Sequence, residues 1–288
     1  MTGTLLSIGH GYSARALARL LIPQGWTVIG TTRSADKAAG PDEVTETLVW
    51  PDADLAPAFD RATHLLMSAA PGEDGDPLLA AHRDLVAGAA PHLQWAGYLS
   101  TTGVYGNHDG GWVDEDTPLT PSTRRGRMRV QAETAWRALA ADTGLPLQIF
   151  RLAGIYGPGR GPFAKVRAGT ARRIIKKGQV FSRIHVEDIA QVLAASIAQP
   201  NPGAAYNLCD DDPAPPEDVI GHAAELLGLP LPPAEDFETA EMTPMARSFY
   251  AESKRVRNDR IKDELGVVLK YPSYRAGLAD LLRLEEAE

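Results

Sequence analysis

Three groups of residues have types and spacings that could do chemistry. The first is Gly9-His10-Gly11-Tyr12-Ser13-Ala14, a G-x-G-x-x-A turn. It follows an apolar stretch, Thr4-Leu5-Leu6-Ser7-Ile8, and precedes a helical apolar pattern from Arg15 to Leu21. Strand, glycine turn and helix come in the order a dinucleotide pyrophosphate needs. Glycine permits the tight turn and close approach, and the helix start offers free N–H groups to negative charge. The second group is Thr31-Thr32-Arg33-Ser34, which closes the next apolar stretch, Trp26-Thr27-Val28-Ile29-Gly30. An NAD-specific turn places Asp or Glu there for the ribose 2′-hydroxyl; a guanidinium with hydroxyls suits a 2′-phosphate instead. NADP(H) is therefore the preferred cofactor, with NAD(H) left open. The third group is Arg124, Arg125, Arg127 and Arg129, crowded at a helix start where the macrodipole disfavours cations. Either a phosphate or carboxylate of cofactor or substrate compensates them, or they form a solvated face or pair with nearby acidic groups of the chain.

The elements that must position these residues alternate. Strands are expected at 4–8, 26–31, 45–50, 63–69, 96–101 and 146–152, with helices at 13–22, 77–90 and 127–143. This alternation predicts an α/β fold, a Rossmann doubly wound parallel sheet covered on both faces. The texture changes beyond Arg151. A helical stretch near 163–176 is expected, then strand and helix from Arg183, a helix at about 217–227, and a tail from about Ser253 holding a basic and an amphipathic helix. The division expected is a cofactor domain of 1–155 plus about 183–207, and a smaller C-terminal substrate lobe of about 156–182 plus 208–288. Asp210-Asp211-Asp212 before Pro213 reads as a solvated loop and helix cap rather than a metal site.

At 288 residues, 44% hydrophobic and 23% charged, the chain has the composition of an ordinary globular protein. A net charge of −8 argues against nucleic acid as the partner. No membrane span or signal peptide is legible, and the single cysteine, Cys209, permits no internal disulfide, which fits a cytoplasmic location. The seven His show no paired spacing for zinc.

Further blocks join the glycine turn: Leu99-Ser100-Thr101-Thr102-Gly103-Val104-Tyr105-Gly106, then Arg151-Leu152-Ala153-Gly154-Ile155-Tyr156-Gly157-Pro158-Gly159-Arg160, then Arg183-Ile184-His185-Val186-Glu187-Asp188-Ile189-Ala190 and Tyr206-Asn207-Leu208. Taken in order, they make the chain resemble the short-chain dehydrogenase/reductase superfamily. The extended branch, with its nucleotide-sugar epimerases and dehydratases, is the closest match. The resemblance implies phosphate contacts at His10, Gly11, Tyr12 and Ser13, and 2′-phosphate contacts at Thr32, Arg33 and Ser34. It also implies adenine near Asp52, a crevice wall at Ala69 and Ala70, and nicotinamide beside Ala153 and Gly154. Thr101 takes the place of the family's Ser or Thr that hydrogen-bonds the reacting oxygen.

One departure stands out. Gly126 and Ala132-Glu133 align Arg125 with the family's catalytic Tyr and Arg129 with its Lys. Arginine can stabilise an oxyanion or grip an anionic substrate, but it exchanges no proton at physiological pH. Tyr250-Ala251-Glu252-Ser253-Lys254 satisfies Y-x-x-x-K spacing yet is expected to lie in the C-terminal lobe, away from the site. Tyr105 and Tyr156 are expected to be structural, while His185 and His108 could supply a proton if a loop carries one close. Two readings follow. One is an atypical NADP-dependent oxidoreductase or epimerase/dehydratase-like enzyme acting on a small, anionic substrate, with Thr101, Arg125 and Arg129 at its centre. The other is a non-catalytic NADP(H)-binding sensor or regulatory protein. The resemblance also implies a homodimer through helices 77–90 and 127–143, unless their apolar faces are covered within one chain.

Overall fold

Strands and helices alternate along the computed structural model, which describes residues 2–34, 36, 40 and 43–287. The first half comprises β1 (Thr4–Ile8), α1 (Tyr12–Leu21), β2 (Thr27–Thr32), β3 (Glu46–Val49), α2 (Ala56–Arg61), β4 (His64–Met67), α3 (Pro77–Ala89), β5 (Trp95–Thr101), β6 (Trp112–Val113), α4 (Arg124–Thr143) and β7 (Leu147–Leu152). The second half comprises β8 (Gly154–Tyr156), α5 (Phe163–Arg167), β9 (Arg173–Ile175), β10 (Arg183–His185), α6 (Val186–Ala198), β11 (Ala205–Leu208), α7 (Pro216–Leu226), β12 (Ala234–Asp236), α8 (Pro244–Phe249), β13 (Arg255–Val256), α9 (Asp259–Asp263) and α10 (Tyr274–Glu285).

Seven strands form one sheet in the order β11-β7-β5-β4-β1-β2-β3. Every pairing in it is parallel, with Leu5 of β1 set between Val28 of β2 and His64 of β4. The central strands are apolar runs because both faces are covered. Side chains alternate across the sheet: Leu5 packs into the layer with Leu17 of α1 and Ile189 of α6, while Leu6 and Ile8 pack with Phe59 of α2, Val86 of α3 and Trp136 of α4. The strand order reverses between β1 and β4, and the crevice beyond their carboxyl ends is where such sheets bind ligands. A third buried cluster gathers Tyr156, Phe163 of α5, Val219 of α7, and Tyr274 and Leu278 of α10.

The fold class is as the alternation predicts, and the structure corrects some elements. The helix expected near 163–176 stops at Arg167. Gly169 takes φ +66, which leads the chain out of the helix, and residues 173–175 become β9, paired in parallel with β12. The expected basic helix of the tail is the short strand β13 followed by the five-residue α9. Among the described residues, no helix is long and apolar enough to cross a membrane.

Candidate functional site

β1 ends at Ile8 and the chain turns at once, because Gly9 adopts φ +74. A Cβ at Gly9 would lie 2.7 Å from the backbone nitrogen of Ala69, so only glycine lets the ends of β1 and β4 approach this closely. The turn is pinned on both sides: the Gly9 N–H donates to Thr31 Oγ1 at 2.8 Å, and the Gly9 carbonyl accepts from Ser68 Oγ at 2.5 Å. α1 then begins with no side-chain cap and no acidic residue in its first turn. A helix start left open in this way is an anion-binding end.

A cleft of about 1030 Å³ runs from this turn across the top of the sheet. Gly9, Gly11, Tyr12 and Ser13 line its near end, and Ser68, Ala70 and Pro71 continue the wall past β4. Thr101 follows at the end of β5, then Arg125 and Arg129 on the first turns of α4, with Ala153 and Gly154 just beyond β7. Thr101 Oγ1 accepts the Gly103 N–H at 3.2 Å, which leaves the hydroxyl hydrogen to donate elsewhere.

Other expected contacts lie off this cleft. His10 is buried, its ring set between Ser7 Oγ at 3.0 Å and the Glu43 carbonyl at 2.6 Å. Its backbone N–H donates to the Thr31 carbonyl, and burial lowers the imidazole pKa. His10 therefore ties β1 to β2 and does not reach the phosphate position expected of it. Ala14 is buried in the sheet-facing side of α1, and Ala69 backs Gly9. Thr32, Arg33 and Ser34 sit at the end of β2, one strand over from the glycine turn, where Thr32 Oγ1 donates to the Ser34 carbonyl at 3.1 Å and Arg33 is exposed. Asp52 is exposed in the turn after β3.

The arginine cluster divides. Arg124 pairs with Glu73, Arg127 Nη1 donates to the Ser122 carbonyl at 2.8 Å, and Arg129 Nη1 donates to the Leu99 carbonyl at 2.7 Å and to Tyr98 Oη at 3.0 Å. Internal partners thus hold three of the four. Among the described residues, Arg125 has no hydrogen-bond or ion-pair partner, and it lines the cleft.

Beneath these residues lies a buried polar chain. Ser100 Oγ donates to Glu133 Oε1 at 2.5 Å, and Arg151 grips both Glu133 oxygens at 3.2 and 2.9 Å. Arg151 Nη1 donates to Tyr105 Oη at 2.9 Å, and Tyr105 in turn donates to Asn207 Oδ1 at 2.7 Å. The chain ties β5, α4, β7 and β11 together, starting at Ser100, the residue before Thr101. Tyr105 is thereby committed to structure, and burial pushes its phenol up to about 12. Burial likewise raises Tyr156. His185 caps α6 by accepting the Glu187 N–H, and burial pushes it down to about 4. His108 donates to the Tyr105 carbonyl at 3.1 Å. Neither histidine lines the cleft.

The largest correction concerns residues 250–254. The Tyr250 ring packs against Phe181 and Phe237, off the cleft, whereas Glu252 and Lys254 line it. Lys254 is 9% exposed, and its Nζ donates to the Gly106 carbonyl and to Glu252 Oε2, each at 2.7 Å. The segment is carried there by β13, which pairs in parallel with β6 through Arg255↔Trp112. The Y-x-x-x-K spacing was the trace of this in the sequence; the expectation that it lies away from the site holds for Tyr250 and fails for Lys254. Arg160 is a second unanticipated contributor: it lines the cleft, with its guanidinium 4.8 Å from the centre of the Tyr12 ring.

The chain matches the model of the NAD dependent epimerase/dehydratase family over residues 8–209. It is 29% identical to Protein YeeZ of Escherichia coli K12 over 279 residues, covering 92% of this chain and 95% of that protein. A solved structure of a functionally unknown conserved protein from Silicibacter pomeroyi superposes with TM-score 0.93 at 62% identity, over 99% of both chains. dTDP-glucose 4,6-dehydratase from Bacillus anthracis, solved in complex with NAD, superposes with TM-score 0.80 at 16% identity, over 99% of this chain and 97% of that one, which shows a shared fold.

Proposed function

The chain belongs to the NAD dependent epimerase/dehydratase family, and we propose that it is an NADP(H)-preferring oxidoreductase or epimerase-like enzyme of the cytoplasm. Its substrate is a small anionic molecule. The observation that carries this reading is the continuity of the cleft: one groove joins the glycine turn to Thr101, Arg125 and Lys254.

The residues present fit a nicotinamide dinucleotide. Gly9 would collide with Ala69 if it bore a Cβ, and the uncapped start of α1 offers the N–H groups of Tyr12 and Ser13 to a pyrophosphate. Exposed Arg33, with Thr32 and Ser34, would hold a 2′-phosphate at the end of β2, and Ala153 and Gly154 would flank the nicotinamide. When bound, the dinucleotide supplies or accepts a hydride.

The chain's own residues do the rest. Thr101 donates its free hydroxyl hydrogen to the reacting oxygen and so orients the substrate. Arg125, without a partner among the described residues, stabilises negative charge on that oxygen or on an acidic substrate group. Arg129, fixed by Leu99 and Tyr98, would hold the ribose and nicotinamide side of the cofactor. The carboxylate and ammonium side chains of the cleft, Glu252 and Lys254, favour turnover over cofactor binding alone.

Calorimetric titration with NADPH, NADP⁺, NADH and NAD⁺, on wild type and Arg33→Asp, tests the reading. NADPH should bind tightest to wild type. The variant should lose about tenfold or more of that affinity, the worth of a charge-assisted hydrogen bond, with the balance moving toward NADH. Failure of all four nucleotides to bind would refute it.

A further inference from the structure

Hydride transfer at a carbonyl or alcohol carbon leaves an oxygen whose proton must also move. The arginines aligned with the family's Tyr and Lys exchange none. We propose that Lys254, held by Glu252, is the proton-exchanging group of the cleft, contributed by the C-terminal segment rather than by α4. This rests on the reading of the cleft as a dinucleotide and substrate site.

Placement carries the inference. Two of the three Lys254 N–H hydrogens go to the Gly106 carbonyl and to Glu252, and among the described residues the third has no partner. Glu252 Oε1 accepts from Ser122 Oγ at 2.6 Å. Gly106 belongs to the loop leaving β5, and Ser122 directly precedes the Thr123 cap of α4. The pair is therefore anchored to the same two elements that present Thr101 and Arg125. The backbone is fixed as well: the Ser253 N–H donates to Asn107 Oδ1 at 2.8 Å, and the Ser253 carbonyl accepts from His108 and Gly110 at 3.1 and 3.0 Å.

Competing groups are committed elsewhere. Of the tyrosines on the cleft, Tyr12 donates to the Pro158 carbonyl and Tyr156 to the Ser273 carbonyl. The charged side chains sharing the cleft with Lys254 are Glu252 on its own segment, Arg125 and Arg129 on α4, Arg160 in the loop after β8, and Arg183 on β10. For carbonyl reduction, the substrate carbon gains a hydride from the reduced dinucleotide and its oxygen gains the free Lys254 proton. The neutral amine then recovers a proton from water through Glu252. Alcohol oxidation runs the same transfers backwards.

The test counts protons rather than turnover. The full chain is titrated at pH 9 with NADP⁺ and with NADPH, each in two buffers of different ionisation heat. The two nucleotides differ by the positive charge of the oxidised ring. That charge should drive off more proton for NADP⁺ than for NADPH, read as a buffer-dependent difference in binding heat. Lys254→Arg keeps the ion pair and the charge but exchanges no proton, so it should bind both nucleotides while the difference disappears. No difference in wild type, or a difference that survives in Lys254→Arg, would overturn the proposal. Absence of binding by either nucleotide to wild type would overturn the underlying reading and the proposal with it.

Discussion

The buried Glu133–Arg151 pair should be the costliest single point of failure under the site. Both side chains are nearly sealed from solvent, at 2% and 4% exposure, and their closest approach is 2.9 Å. Glu133→Leu removes both oxygens that Arg151 grips and the acceptor of Ser100. The guanidinium then retains only the Tyr105 hydroxyl and the Glu115 carbonyl as partners. An uncompensated buried charge of this kind costs about 3–5 kcal/mol. With about 2–4 °C lost per kcal/mol in a domain of this size, the unfolding midpoint should fall by about 6–20 °C. Urea and thermal unfolding measure the loss directly. The double variant Glu133→Leu/Arg151→Met removes both charges and should recover most of it, because the cost lies in the unpaired ion. A single-variant loss below about 1 kcal/mol, or a double variant worse than the single, would refute this account of what holds β5 and α4 together.

Other consequences are as concrete. Gly9→Ala forces a Cβ onto Ala69 at a left-handed backbone position. It should cost about 1–3 kcal/mol in stability and abolish NADPH binding; an unaltered melting curve with intact binding would contradict it. Asp210 is buried, its Oδ2 has no partner among the described residues, and burial pushes its carboxyl up to about 8, against the pull of Arg183. Between pH 4 and 8 the unfolded chain ionises this group while the folded chain keeps its proton. Stability from Asp210 therefore falls as pH rises, by up to about 1.4 kcal/mol per unit. Asp210→Asn should gain on wild type steadily over that range and hold a constant lead above pH 8; a lead independent of pH would refute the assignment. His64 is the opposite case: burial pushes it down to about 4. His64→Gln should lose the wild type's dependence on this group between about pH 6.5 and 4, where protonation of the unfolded chain otherwise weakens the fold; equal acid sensitivity in both proteins would argue against it.

Local chemistry was the legible part of the sequence. The glycine turn lay between two apolar runs, and β1, β2, β3, β4, β5 and β7 fall within a residue or two of where periodicity puts them. The parallel sheet follows from that alternation. What stayed hidden depends on contacts distant in sequence. The three engaged arginines find Glu73, Ser122 and Leu99, which no spacing rule pairs with them. His10 looked like a phosphate contact because of its place in the motif, but Gly30 leaves room beneath β2 for its ring: a Cβ there would lie 2.7 Å from His10 Cγ. Spacing singled out Lys254 but not its place in the cleft, because a two-residue strand, β13, is too short to leave a periodic signature.

The pairing of β13 with β6 also sets an order of events. A polypeptide leaves the ribosome N-terminus first, and its early portions fold while the rest is still being made. All seven strands of the central sheet have emerged once Leu208 is out, and the glycine turn long before that. Glu252 and Lys254 come later and reach the cleft only when β13 finds a partner made far earlier in translation. Glu252 and Lys254 thus join a cleft whose glycine turn, Thr101 and Arg125 are all made earlier in translation.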